Sequence, residues 1–462
     1  MSATPSSPSP APLRRSLTVP LEQLGDALPP ALRAQADLRA LLPAGPEACW
    51  TIGGLGLIGF GRAASFGTTG EDRFTGARAW WDETVDAMRI EDPLRRSATG
   101  PVAFGAFAFA RSSKRRSGLV VPELVIGRDH HGAWATLVAS SADPLGPDDI
   151  AAAARRLVRL PLEDAPKTPA PRALEDASAQ ARWMEAVAAG IEEIRCGGLE
   201  KIVLARCVPV HAAEGSQLDM PRALARLAAD YDRCWTYTVD VQGHPGPAGG
   251  RVFGATPERL VRVLDGAVHA RVLAGTVPRT SSGTASPAER AWAHERLMQD
   301  AKQRSEHEFA IASFLQGIAA YTDAVRSSTE PYLLELPNVW HLASDVTCDL
   351  RRGPDGTVAS ALELVEAVHP TAAVCGTPTA AAAEAIARLE GMDRGLYAGP
   401  VGWVDARHNG DFGIALRGGV QEDPSTVGVY AGCGIVGASD PAEELAETRA
   451  KLRPVLGALG AD

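Results

Sequence analysis

Residues 430–452 read YAGCGIVGASDPAEELAETRAKL. A strand ending in glycines runs into a helix with an explicit start signal. Asp440 is a favourable N-cap, Pro441 suits the first helical position, and Glu443 stands where a capping-box acid would reach back. On that helix Glu444, Glu447 and Lys451 fall at i, i+3 and i+7 and share one face, whereas Leu445, Leu452 and Leu456 lie on another, toward a core. Gly432 and Gly434 let the backbone approach whatever the acidic face addresses. Taken alone, that face reads as a solvated Glu–Lys surface.

Working outward, 398–405 and 411–419 read as a hairpin across Arg407-His-Asn-Gly410. Helices are expected near 359–367 and 378–389, and strands near 332–335 and 345–350. A long amphipathic stretch covers 287–324. Strands at 234–241, 251–256, 259–264 and 267–273 follow one another closely, and a helix at 178–196 precedes the strand 201–206. In the first third, 49–66 reads as paired strands, 79–91 as a helix, 102–110 as a close-packed strand, and 119–127 with 133–140 as a hairpin. The adjacent His130 and His131 on its turn point apart and lack a third ligand, so they read as surface rather than metal site. Strands joined by short turns, without regular βαβ alternation, make the class α+β: a single large domain with two mostly antiparallel β-sheets and flanking helices. Residues 1–14, rich in Ser, Pro and Ala, read as a disordered tail. The remainder, 15–462, is expected to be one catalytic domain, with a less diagnostic half (15–165) and a motif-bearing half (176–458). Residues 160–175 read as the linker or surface loop between them.

The 462 residues carry a formal charge of −10, from 46 Lys+Arg against 56 Asp+Glu. That acidic balance argues against general nucleic-acid binding. Seven scattered cysteines without a Cys-x-x-Cys pair suggest reduced thiols in a cytoplasmic protein. No apolar run is long enough to cross a bilayer.

Four positions invite chemistry. Lys201 heads an apolar strand in phase with Val203 and Ala205, so it either snorkels to solvent, the ordinary outcome, or occupies a pocket where its charged form is disfavoured and it can act as a base. Glu258 follows Thr-Pro where a strand breaks and resumes, so its side chain is thrown into an exposed corner, as a possible general acid or a plain turn residue. Glu306 and Glu447, both on helices, could face each other, and paired carboxylates suit Mg²⁺. Arg417 stands out of step on an apolar strand, where arginine often meets a carboxylate. His341 and Tyr397 lie in apolar surroundings and could simply be satisfied core groups.

The segments Lys201–Arg206, Phe253–Leu260, Leu273-Ala-Gly-Thr276, Ser305-Glu-His307, His341-Leu342, His369-Pro-Thr371 with Val374–Pro378, Gly395–Gly402 and Gly432–Lys451 occur in one order. Together they resemble the chorismate-utilising enzymes, most closely the isochorismate synthases. The resemblance implies Mg²⁺ as cofactor, held by Glu306 and Glu447 with Glu444 close by. It implies Lys201 as the base that activates water and Glu258 as the acid that protonates the departing hydroxyl. Lys451, Arg417 and the backbone at Gly432 would bind the enolpyruvyl carboxylate. Tyr397 and His341 would contact substrate, and Gly275 and Thr276 would line the ring-carboxylate side. Relatives that add ammonia usually carry Gln at the Lys201 position, so a water-using enzyme without an amidotransferase subunit is implied, and a monomer. Aminodeoxychorismate synthases have a nucleophilic lysine where this chain has Ala274. A salicylate synthase, or a non-catalytic binding protein on the same scaffold, remain the alternatives. Ala372 and Val272 stand where proline is more usual, and Gln303 where several relatives have an acid.

Overall fold

The computed structural model describes residues 14–33, 37–161, 169–241, 250–279, 285–327, 330–337, 339–354 and 356–461. Two sheets carry the chain, as the strand pattern implies, and the class is α+β. The larger, 13-stranded sheet runs from Arg172–Ala173 through Lys201–His211, Thr426–Ile435, Gly418–Asp423, Arg251–Thr256, Trp235–Asp240, Ala48–Ile52, Leu55–Phe60, Leu124–Asp129, Gly132–Ser140 and Arg14–Pro20 to Met88–Glu91, with Gly376–Thr377 pairing Lys201–His211 off this path. Only its last pair is parallel among the described residues. The 10-stranded sheet runs from Thr322–Ser327 through Val339–Leu350, Ala267–Pro278, Arg259–Leu264, Gly410–Ile414, Pro400–Asp405, Val102–Ala106 and Ser117–Val121 to Ala64–Thr68, with Tyr332–Glu335 pairing Val339–Leu350 off this path.

Strands such as Val102–Ala106 are buried at every position, because both faces are covered. Trp50, Phe104, Tyr237, Val346, Leu364 and Phe412 belong to one core cluster that draws on both sheets and their helices. Burying each large side chain contributes roughly 1.5–3 kcal/mol.

Four times the chain steps from one sheet to the other within three residues. Residues 61–63 and 122–123 make one neighbouring pair of crossings, since the strands they join are themselves paired. Residues 257–258 and 415–417 make the other. These corners correct three expectations. The run 119–127 is two strands in different sheets, broken at Pro122-Glu123. The expected strand 411–419 likewise divides, so Arg417 sits at a corner with φ +48° rather than in a strand. The third concerns Glu258, whose corner is buried, with 6% of the residue exposed.

The stretch 287–324 is two helices, Pro287–Met298 and Ala301–Ile318, followed by a strand. Residues 1–13 of the expected tail, and 162–168 of the expected linker, lie outside the described residues, while Arg14 already pairs in the strand Arg14–Pro20. The terminal helix Pro441–Leu459 starts as its sequence implies: the Asp440 carboxylate accepts from the amides of Ala442 and Glu443 at 2.9 and 3.0 Å. Such a cap is worth about 1 kcal/mol. The helix ends at Gly460 with φ +77°, a left-handed stop.

Candidate active site

The second pair of crossings opens onto a cavity whose lining comes from parts of the chain far apart in sequence. Glu258, Gly275, His341, Tyr397, Arg417, Gly432, Glu444, Glu447 and Lys451 all contribute. Each arrives by a local rule. Pro257 cannot extend the ladder of Arg251–Thr256, so the chain turns there. The Glu258 carbonyl then accepts from the Ile414 amide at 3.2 Å, fixing the corner against its neighbour. Gly413 lies opposite, where a Cβ would come within 2.6 Å of that carbonyl. Gly275 is an inserted residue in the pairing of Ala267–Pro278 with Val339–Leu350, at φ +83°, a conformation glycine adopts without a Cβ penalty.

That bulge organises His341. The Arg417 guanidinium can only donate, so its 3.1 Å contact with His341 Nε2 makes that nitrogen the acceptor. Nδ1 therefore carries the proton and donates to the Gly275 carbonyl at 3.3 Å. Burial, and then the charges of Arg417 and Lys451, hold His341 well below the usual imidazole range, so the ring is neutral. On the terminal helix, Lys451 Nζ donates to the Gly432 carbonyl at 2.9 Å and pairs with Glu447 at 2.6 Å. Burial is the largest influence and opposes its charge, but the charge and hydrogen bond of Glu447 together with Cys433 leave the net displacement upward. The Tyr397 ring stacks on Tyr430 with centroids 5.0 Å apart, and burial raises its hydroxyl to about 12.

Glu258 is the exceptional group. Burial pushes its carboxyl up to about 8, although Lys201, Lys451 and Arg417 all pull it down. Near neutrality it therefore holds its proton among cations, which is the state of a general acid. Lys201 is fully buried, contrary to the snorkelling expectation. It stands in phase with the lining residues Val203 and Ala205 and acts on Glu258 through its charge, yet Lys201 does not itself belong to the cavity lining.

Glu444 is 5% exposed, and with Glu447 it makes one end of the cavity acidic. The amide oxygen of Gln303, buried and without a hydrogen-bond partner among the described residues, lies in the same lining. These are hard oxygen donors, the kind that suit Mg²⁺. Among the described residues no group of three or more His, Cys, Asp or Glu stands together as a cation cage. Two carboxylates suffice for an ion that completes its octahedron with water and substrate oxygens. Position 306 falls in the helix Ala301–Ile318 and position 276 in the strand Ala267–Pro278, but the side chains of Glu306 and Thr276 lie outside the described part of the structure. His130 and His131 are exposed, as expected for surface residues.

Sequence reasoning missed Arg394 and Glu390. Past Ile202 the strand Lys201–His211 loses its short partner Gly376–Thr377, and this buried ion pair takes over. Arg394 donates to the carbonyls of Val203 and Val374 at 2.7 and 2.9 Å, and Glu390 accepts from the Ala205 amide at 2.7 Å. The two side chains are 2% and 1% exposed and 2.5 Å apart. They hold the strand that carries Lys201, and no local pattern announces side chains standing in for a strand.

Comparison with known proteins finds relatives across most of the chain. Residues 50–460 match the family model described as chorismate binding enzyme. The chain is 32% identical to the salicylate biosynthesis isochorismate synthase of Pseudomonas aeruginosa, over 89% of this chain and 84% of that protein. It is 29% identical to isochorismate synthase MenF of Bacillus subtilis, over 88% and 86%. Among solved structures it shares the fold of MenF, the menaquinone-specific isochorismate synthase of Escherichia coli, with TM-score 0.71 at 24% identity, covering 96% and 95% of the two chains.

Proposed function

Because the chain belongs to the chorismate-binding enzymes, we propose that it is an isochorismate synthase, converting chorismate to isochorismate in the cytoplasm, for menaquinone or siderophore formation. One observation carries the mechanism: a buried carboxyl raised to about 8 in a cavity with Arg417 and Lys451. A dianionic ring substrate matches those cations, and its departing hydroxyl needs the proton that Glu258 holds.

In this reading Lys201, as the neutral amine, takes a proton from water as the water oxygen bonds to C2. The C4–O bond breaks, the ring double bonds shift between the two carbons, and Glu258 protonates the leaving hydroxyl. Arg417 and Lys451 hold the enolpyruvyl carboxylate, with the Gly432 backbone close by. Neutral His341 keeps the Arg417 guanidinium aimed, and Tyr397 packs beside the substrate. Gly275 and Thr276 border the ring carboxylate. Glu447, Glu444 and Glu306 would hold Mg²⁺, which supplies positive charge to the ring carboxylate when bound. The two halves of 15–462 act as one catalytic unit, a monomer without an amidotransferase subunit. Seven free cysteines support the cytoplasmic placement, and no described helix is long and apolar enough to cross a membrane.

The test is product identification after incubating the protein with Mg²⁺ and chorismate. Isochorismate is expected. Salicylate with pyruvate would move the assignment to a salicylate synthase, and unconsumed chorismate would leave the scaffold as a binding protein.

A further inference from the structure

One side chain lining the cavity has an orientation that helix chemistry does not explain. Gln303 is the third residue of the helix Ala301–Ile318, and its backbone N–H donates to the N-cap Asp300 carboxylate at 3.0 Å. A glutamine in that position ordinarily reaches back to the N-cap amide and completes a reciprocal cap. Here it does not. Its Oε1 is buried without a hydrogen-bond partner among the described residues, in the same lining as Glu444 and Glu447. A Cβ on Gly275 would stand 2.8 Å from that oxygen, so the glycine bulge leaves it room.

An acceptor buried without a partner is unfavourable, a penalty that a bound ligand would remove. The oxygen has lone pairs and nothing to donate, so its complement is a cation or a hydrogen donor. Two carboxylates, Glu444 and Glu447, line the same cavity, and they select the cation. We propose that Gln303 Oε1 is a neutral oxygen ligand, direct or through one water, for the divalent cation held by Glu444 and Glu447. This rests on the reading above that a cation binds here. An amide in place of a carboxylate removes one negative charge from the cation's surroundings. The ion is then held less tightly, and the wall repels a dianionic substrate less.

The experiment is calorimetric titration of Mg²⁺ into the substrate-free wild type, Gln303→Glu and Gln303→Leu, each with near-UV circular dichroism unchanged. Partners around a bound metal are worth 10–100-fold in affinity. The expected order is Gln303→Glu tightest, wild type next and Gln303→Leu weakest, each step about tenfold. Any other order overturns the proposal. Equal affinities would show that the oxygen does not meet the ion. A tighter Gln303→Glu with an unchanged Gln303→Leu would show that added charge, rather than the native amide, was sensed. Chorismate turnover by the wild type keeps the two claims apart. Turnover with the wrong order sinks this proposal alone, and the right order without turnover sinks the assigned reaction alone.

Discussion

Pro122-Glu123 and Pro257-Glu258 are the same dipeptide at the same event, the passage of the chain between the two sheets. Their fates differ. The Glu123 side chain is 25% exposed and ion-paired with Arg156. Its neighbouring crossing carries Arg62, paired with Glu47 and donating to the Asp240 carbonyl at 2.6 Å. There the charges balance locally. Glu258 is buried and raised to about 8, and the neighbouring crossing presents Arg417 to a histidine instead of a carboxylate. A proline corner delivers a glutamate to the junction. The unbalanced charge around it is what makes a site.

That contrast can be broken experimentally, starting with the largest effect. Glu258→Gln removes the proton donor, and a positioned acid is typically worth ~10²–10⁴ in rate. A loss of that order in steady-state kcat is expected, while Glu123→Gln should stay within about twofold of wild type. Equal losses at both corners would erase the distinction. Lys201→Ala should fall in the same ~10²–10⁴ range, with chorismate binding retained in a fluorescence or calorimetric titration.

A smaller effect separates positioning from contact. Arg394→Gln takes the guanidinium away from the Val203 and Val374 carbonyls and from Glu390, which keeps the Ala205 amide, and removing one partner of a buried pair is destabilising by about 3–5 kcal/mol. The folded fraction at low temperature should lose kcat more than it raises KM. An unchanged kcat would show that the strand carrying Lys201 needs no such support.

The pH dependence follows from the raised Glu258 carboxyl. Between its ordinary value near 4.5 and about 8, the folded state holds a proton that the unfolded state releases. The folded form binds more protons in that window, so the contribution of Glu258 to stability falls as pH rises through it. The Tm of Glu258→Gln should therefore gain on wild type from pH 5 to 8 and hold a constant lead above. Turnover should decline above about pH 8 as the acid loses its proton. Smallest of all, Glu123→Gln should cost about 0–1 kcal/mol in denaturant unfolding, the usual worth of an exposed pair.

The chain makes some of this legible and hides the rest for physical reasons. The helix period alone put Glu444, Glu447 and Lys451 on one face, and all three line the cavity. The proline at 257 marked its corner because polar residues flank it. The proline at 122 did not, since the stretches on either side of Pro122-Glu123, 119–121 and 124–126, are apolar and buried at every position. Periodicity carries no signal there. The strand Arg14–Pro20 was hidden by the Ser- and Pro-rich composition before it, and its partner Gly132–Ser140 lies more than a hundred residues away. Arg394 and Glu390 were invisible because they answer backbone groups of a distant strand. The burial of Lys201 and Glu258 also depends on which elements cover them, and their own neighbours in sequence do not specify that.

The source of the new hydroxyl tests the proposed roles of Lys201 and Glu258 most directly. Chorismate turned over in ¹⁸O-water should give isochorismate carrying one solvent oxygen, at C2, as water activated by Lys201 requires. Product with its hydroxyl oxygen unlabelled would mean that the group migrates within the substrate, and the division of labour between Lys201 and Glu258 would fall.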